Sequence, residues 1–167
     1  MNHAKRTLRQ FIAILFAASF AGAVPSALAK AYYATEDEMI ERAEAIAIVD
    51  ISRVEIAETK GKPFHYRQNA HATVQQTLKG TLPQAVKFYG GDSFICAQIY
   101  FAPGRHLVFL TRDGELLVGC NWYFSVRPIK GTQVEWYVQG ERLKLSWQPL
   151  DMVLGRIKNP PAKPKVK

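Results

Sequence analysis

From Phe64 to Leu78 the chain alternates without a break. Phe64, Tyr66, Gln68, Ala70, Ala72, Val74, Gln76 and Leu78 fall on one side, and His65, Arg67, Asn69, His71, Thr73, Gln75 and Thr77 on the other. A period of two over this length predicts a strand with one buried and one wet face. The segment before it, Ala45 to Ile56, is apolar at every position in its first half and alternates in its second. That pattern predicts one long bent strand covered on both sides at its start, as a small barrel requires. Lys79-Gly80 to Pro83 ends the alternating strand, Ala85 to Tyr89 reads as a short strand, and Gly90-Gly91-Asp92 as a turn.

Two hairpins follow from the same reasoning. Apolar runs meet at Asp113-Gly114, a strong two-residue turn signal. Counting outward from that turn pairs Arg112 with Glu115, Leu110 with Leu117, Phe109 with Val118 and Leu107 with Cys120. Val134, Trp136 and Val138 precede Gly140, and Leu143, Leu145 and Trp147 follow it in the opposite phase. A loop at Gln139-Gly140 would pair Trp136 with Leu143 and Val134 with Leu145. Helices are expected at both ends. Thr35-Glu36-Asp37-Glu38 spells a capping box before a helix of about Glu36 to Ala43. Pro149 opens a second helix in which Leu150, Val153, Leu154 and Ile157 form one apolar stripe. One short helix, six or seven strands with short turns and a terminal helix predict an all-β barrel with helical caps.

The first 29 residues stand outside this scheme. Lys5, Arg6 and Arg9 precede an uncharged apolar run from Phe11 to Val24, and Ala27-Leu28-Ala29 is a small-x-small cleavage site. The segment reads as a signal peptide, too short to span a bilayer, which needs about 20 apolar residues. The expected organisation is a signal peptide over 1–29, a domain over 30–158 and a basic, disordered tail over 159–167, in a secreted or periplasmic protein that begins at Lys30 once processed. This division changes the meaning of the net charge of +8. Three of the 22 cations lie in the first nine residues and four in the last ten, leaving the domain close to balance against 14 acids. A nucleic-acid footprint is therefore not expected. Lys163, Lys165 and Lys167 could make a weak contact with an anionic surface, worth at most about 1 kcal/mol each.

Export also gives the two cysteines a meaning. Cys96 and Cys120 in an oxidising compartment most simply form one disulfide, closing a loop worth roughly 3–4 kcal/mol of chain entropy. A redox pair would ordinarily show Cys-x-x-Cys, and two isolated cysteines do not make a zinc site.

The order of these segments carries a resemblance. A short helix is followed by Ala45-Ile-Ala-Ile-Val-Asp50, then by Ala70-x-Ala72-x-Val74 ending in Leu78-Lys79-Gly80. Next come Cys96, Pro103-Gly104-Arg-His-Leu-Val-Phe-Leu110, Asp113-Gly114-Glu-Leu116 and Gly119-Cys120. From Thr35 to Lys158 the chain resembles bacterial secreted proteins related to the tissue inhibitors of metalloproteinases and the netrin module. The resemblance implies an OB-fold, a five-stranded Greek-key barrel with helices packed against it. In the animal inhibitors the mature chain starts with a cysteine that chelates the protease zinc. Here the mature chain would start Lys30-Ala31-Tyr32, no cysteine precedes Cys96, and no disulfide can hold Lys30 to Ala34 in place.

No motif for catalysis is present. His-Glu-x-x-His and Gly-x-Ser-x-Gly are absent, and Asp92-Ser93 near a histidine is a bare nucleophile guess. His65 and His71 stand about 20 Å apart along one strand, too far to share a metal, and His106 has no ligand spacing to either. The three histidines read as wet-face residues, so no metal, cofactor or catalytic residue is expected. The candidate binding surface is aromatic: Tyr32, Tyr33, Trp122, Tyr123 and Phe124. If 122–124 is a strand, at least one of its rings must point away from the core. The expected function is a non-catalytic binding module for another exported macromolecule, either a protein or a polysaccharide. A metalloprotease inhibitor acting through contacts other than an N-terminal cysteine is the alternative, with a hydrolase third.

Overall fold

The computed structural model describes residues 33–62, 64–92, 99–139, 141 and 143–160. The signal peptide, Tyr32, Cys96 and the tail lysines Lys163, Lys165 and Lys167 lie outside the described residues. Helix α1 (Glu36–Arg42) starts at the expected capping box. Thr35 accepts from the Glu38 amide, and the Glu38 carboxylate accepts from the Thr35 amide at 2.9 Å. Eight strands follow: β1 (Ala45–Lys60), β2 (His65–Lys79), β3 (Ala85–Asp92), β4 (Gly104–Asp113), β5 (Leu116–Gly119), β6 (Val126–Lys130), β7 (Gln133–Tyr137) and β8 (Leu145–Pro149). Helix α2 (Leu150–Lys158) buries Leu150, Val153 and Ile157 of the expected stripe.

The first five strands close into a ring, β1-β2-β3-β5-β4 and back to β1. All its ladders are antiparallel except the seam between β3 and β5, a parallel contact at the single pair Tyr89–Val118. This is the OB-fold-like Greek-key barrel expected from the sequence, with β6, β7 and β8 continuing from β4 as an outer layer.

Two apolar cores explain why β1 begins apolar on both faces. Ala47, Val49 and Ile51 join Ala70, Ala72, Val74, Phe88, Val108 and Leu110 inside the ring. Ile46 and Ile48 point the other way and join Leu107, Phe109, Trp136 and residues of both helices. β4 is divided in the same manner, so two adjacent strands serve both cores.

Several expectations need correction. The first hairpin turns at Gly114-Glu115, not at Asp113-Gly114: Asp113 pairs with Leu116, Arg112 with Leu117, Thr111 with Val118 and Leu110 with Gly119. Gly114 takes the positive φ of +63° at the first loop position, where such connections favour glycine. Asp113 stays in the strand because its buried carboxylate has partners elsewhere. The second hairpin is displaced by three residues, pairing Trp136 with Ser146 and Val134 with Gln148. An odd displacement reverses the faces. Trp147 therefore turns outward, 38% exposed, with the Lys130 ammonium 4.8 Å above its ring.

Gly90-Gly91-Asp92 is not a turn. It continues β3, with Gly90 opposite Gln68 and Asp92 opposite Tyr66. Residues 122–124 are not a strand but part of a 3-10 turn, Trp122–Ser125. His106 is buried rather than wet, its Nδ1 2.9 Å from the Gly104 carbonyl, and burial lowers its pKa. His65 and His71 do lie at the surface, beside Glu58 at 3.5 Å and Glu55 at 3.0 Å.

Candidate functional site

The β1–β2 loop and the end of β4 are locked together by one carboxylate. Asp113 accepts two hydrogen bonds from the Lys62 amide, at 2.8 and 3.0 Å, and a third from the Tyr66 hydroxyl at 2.9 Å. Gly61 makes the approach possible, since a Cβ there would lie 2.0 Å from Asp113 Oδ2. The lock fixes Phe64, which the loop places 5.2 Å from the indole of Trp122, edge to face.

Trp122 reaches that position from an unusual backbone. Its φ is +49°, a left-handed conformation that costs an L-residue roughly 1–2 kcal/mol. The residue before it explains how this is held. Asn121 is buried, its amide donates to Ser125 Oγ at 2.6 Å, and its carboxamide clamps the backbone of Ala34. The Tyr137 hydroxyl completes this network, donating to the Ala34 carbonyl at 3.0 Å and accepting from Asn121 Nδ2 at 2.9 Å. Burial raises the pKa of Tyr137 well above the usual phenol value, so it stays a protonated donor.

Between these parts lies a cleft of about 370 Å³. Phe64, Tyr66, Tyr89, Ile99, Val118 and Trp122 form most of its wall, Gly90, Gly91, Gly119 and Cys120 also line it, and Arg42, Thr111, Arg112 and Asp113 supply its polar groups. Arg112 is exposed and reaches Glu44 at only 3.8 Å. The Glu44 carboxyl is held below its usual pKa, chiefly by the Thr111 hydroxyl and next by the Arg112 amide. The half-buried Cys120 thiol lies 3.8 Å from the Met39 carbonyl, and burial pushes its pKa up to about 11. Its partner in the expected disulfide is not among the described residues.

Of the five aromatics expected to share a surface, Tyr32 lies outside the described residues and the other four do not share one. Trp122 faces the cleft with Phe64. Phe124 is fully buried and stacks on Tyr137 at 5.2 Å. Tyr33 and Tyr123 pair with each other at 5.9 Å, and Tyr123 lies beside the buried Arg127 guanidinium at 5.4 Å. Arg127 in turn donates to Glu135 at 3.0 Å and to the Tyr123 carbonyl. Sequence reasoning missed Phe64, Tyr66, Arg42, Arg112 and Asp113 as one site, because they come from four separate elements. Asn121 had a signal: a carboxamide between a cysteine and three aromatics is a polar group that burial would force to find partners.

Among the described residues no group of three or more His, Cys, Asp or Glu side chains could hold a metal ion. Comparison of the chain with family models, curated proteins and solved structures gives no match.

Proposed function

We propose that the domain is an exported, non-catalytic binding module that holds another exported macromolecule in this cleft. The observation that carries the reading is Trp122. A bulky aromatic in a left-handed conformation lines an open cleft, while Phe124, two residues on, fills the core. Strained positions of this kind concentrate at functional sites. The location agrees with the fold: the cleft takes residues from β2, β3 and the β1–β2 loop, and OB barrels bind ligands on the strand 2–3 face and at that loop. That support is an analogy of fold and not of sequence.

Site-directed crosslinking tests the reading. A photoreactive residue at Trp122 is expected to capture a component of the exported fraction, and one at Trp147, on the outer layer, is not. Capture at neither position, or equal capture at both, overturns it. Export is tested by N-terminal sequencing, which should begin at Lys30.

One observation favours the second reading, a metalloprotease inhibitor without an N-terminal cysteine. The segment before α1 has no disulfide to hold it, yet Asn121 and Tyr137 fix Ala34 in place. Inhibition of a zinc metalloprotease panel by the processed chain would favour this reading. Its loss on acetylation of the N-terminal amine would show that the amine itself reaches the metal.

A further inference from the structure

Resting on the binding reading above, we propose that the cleft accepts a peptide, taking one large apolar side chain into its wall and an adjacent carboxylate at its rim. Size is the first argument. At about 370 Å³ the cleft lies at the small end of ligand sites, which run from about 300 to 1,000 Å³. That is room for one anchoring side chain, not a length of polymer. The wall that such a side chain would meet is Phe64, Ile99, Val118 and Trp122.

Charge is the second argument. Arg42, at the end of α1, and Arg112, on β4, bring two guanidiniums to the same cleft. The one carboxylate among the described residues of its lining, Asp113, already accepts three hydrogen bonds from the protein's own groups. The Arg112 side chain is 57% exposed, and its contact with Glu44 is long at 3.8 Å. A guanidinium so placed suits a carboxylate, which it can grip with two parallel hydrogen bonds.

The same inventory argues against a saccharide. Sugar hydroxyls must donate as well as accept, and buried donors need acceptors. Among the cleft's described side chains the oxygen acceptors are Asp113, which already accepts three hydrogen bonds, the Thr111 hydroxyl, which donates to Glu44 at 2.7 Å, and the phenols of Tyr66 and Tyr89, whereas Arg42 and Arg112 bring donors only. Among the described residues no asparagine or glutamine contributes to the lining. A carboxylate only accepts, so it makes no such demand.

The test uses three blocked probes on the processed protein: acetyl-Gly-Phe-Glu-Gly-amide, the same peptide with Gln for Glu, and tetragalacturonate. Binding is followed by the shift of the Trp122 indole N–H in NMR titrations, assigned with Trp122→Phe. The Phe-Glu peptide is expected to bind at least tenfold more tightly than the Phe-Gln peptide. Arg112→Gln, at an exposed position, should fold normally and remove that difference. Equal affinity for the two peptides, an unaltered preference in Arg112→Gln, preferential binding of tetragalacturonate, or no shift at Trp122 would each overturn the peptide assignment. Crosslinking at Trp122 keeps the two claims apart. Capture there without any peptide preference leaves the binding reading standing and removes only the ligand class.

Discussion

Asn121 holds Ala34 at both of its backbone polar groups, its Oδ1 accepting the Ala34 amide at 2.8 Å and its Nδ2 donating to the Ala34 carbonyl at 3.0 Å. One side chain thus ties the entry to α1 to the start of the 3-10 turn, 87 residues later. Asn121→Leu would bury both Ala34 groups with a partner lost. Unpaired buried groups cost about 1–3 kcal/mol each, and Tyr137 still serves the carbonyl, so a loss of about 2–4 kcal/mol is expected. Urea unfolding measures it, and hydrogen exchange at Ala34 should accelerate. A loss under about 0.5 kcal/mol would show that the clamp is not what fixes this segment.

The register of the first hairpin makes a separate prediction. Asp113 is buried with three hydrogen bonds, whereas Glu115 is an exposed loop residue. Asp113→Ala should cost about 2–4 kcal/mol, and Glu115→Ala less than about 0.5 kcal/mol. Similar small costs at both positions would restore the turn at Asp113-Gly114.

Cys120 is expected to behave differently in its two redox forms. Its neighbour Gly119 meets Ile99, whose Cδ1 would be 2.6 Å from an added Cβ. The disulfide that two cysteines most simply form in an oxidising compartment is proposed for the exported protein. Thiol titration of the unfolded, unreduced protein should then find no free thiol, and two would refute the bridge. In the reduced folded protein, a Cys120 thiol with its pKa at about 11 is about one part in a thousand ionised at pH 8. It should react with a thiol reagent far more slowly than in the unfolded chain.

His106 gives stability a pH dependence. Burial lowers its pKa, with Arg127 also disfavouring the cation while the Gly104 carbonyl and Asp50 oppose the shift. The folded state therefore binds the proton more weakly than the unfolded imidazole, whose pKa is about 6.5. As pH falls below that value the unfolded state gains a proton that the folded state refuses, so stability falls with pH and recovers as pH rises. Urea midpoints at pH 5 and 7.5 should show this fall, and His106→Gln should reduce it. An identical fall in the variant would assign it to other groups.

What the sequence made legible follows from periodicity. Both helices, the capping box, the two-sided start of β1 and the barrel class were all readable, because each is written in consecutive residues. The hairpin registers were not. A two-residue slip at Asp113-Gly114 keeps every side chain on its own face, so alternation alone could not detect it. The competing signal was the affinity of the Asp113 carboxylate for Lys62 and Tyr66, more than 45 residues away. At the second hairpin, Leu143 takes a positive φ of +65°, which lengthens the loop against ordinary turn preferences. The cleft was illegible for the same reason as the first register, since Phe64, Arg112 and Trp122 meet only after the ring has closed. The aromatic run at 122–124 was noticed, but a strand's alternation was the wrong geometry for it.

The division of β1 and β4 between two cores bears on how the chain can be cut. Ile46, Ile48, Leu107 and Phe109 are outer surface for the ring and inner surface for the layer of β7 and the two helices. A fragment ending after β5 would keep α1 and all five ring strands but lose β7 and α2 from the cover over these four side chains, opening a patch of the kind that drives association. The minimal barrel is therefore expected to aggregate when expressed alone. In the intact protein the ring and its outer layer should lose structure in one cooperative transition, without a stable half-folded form.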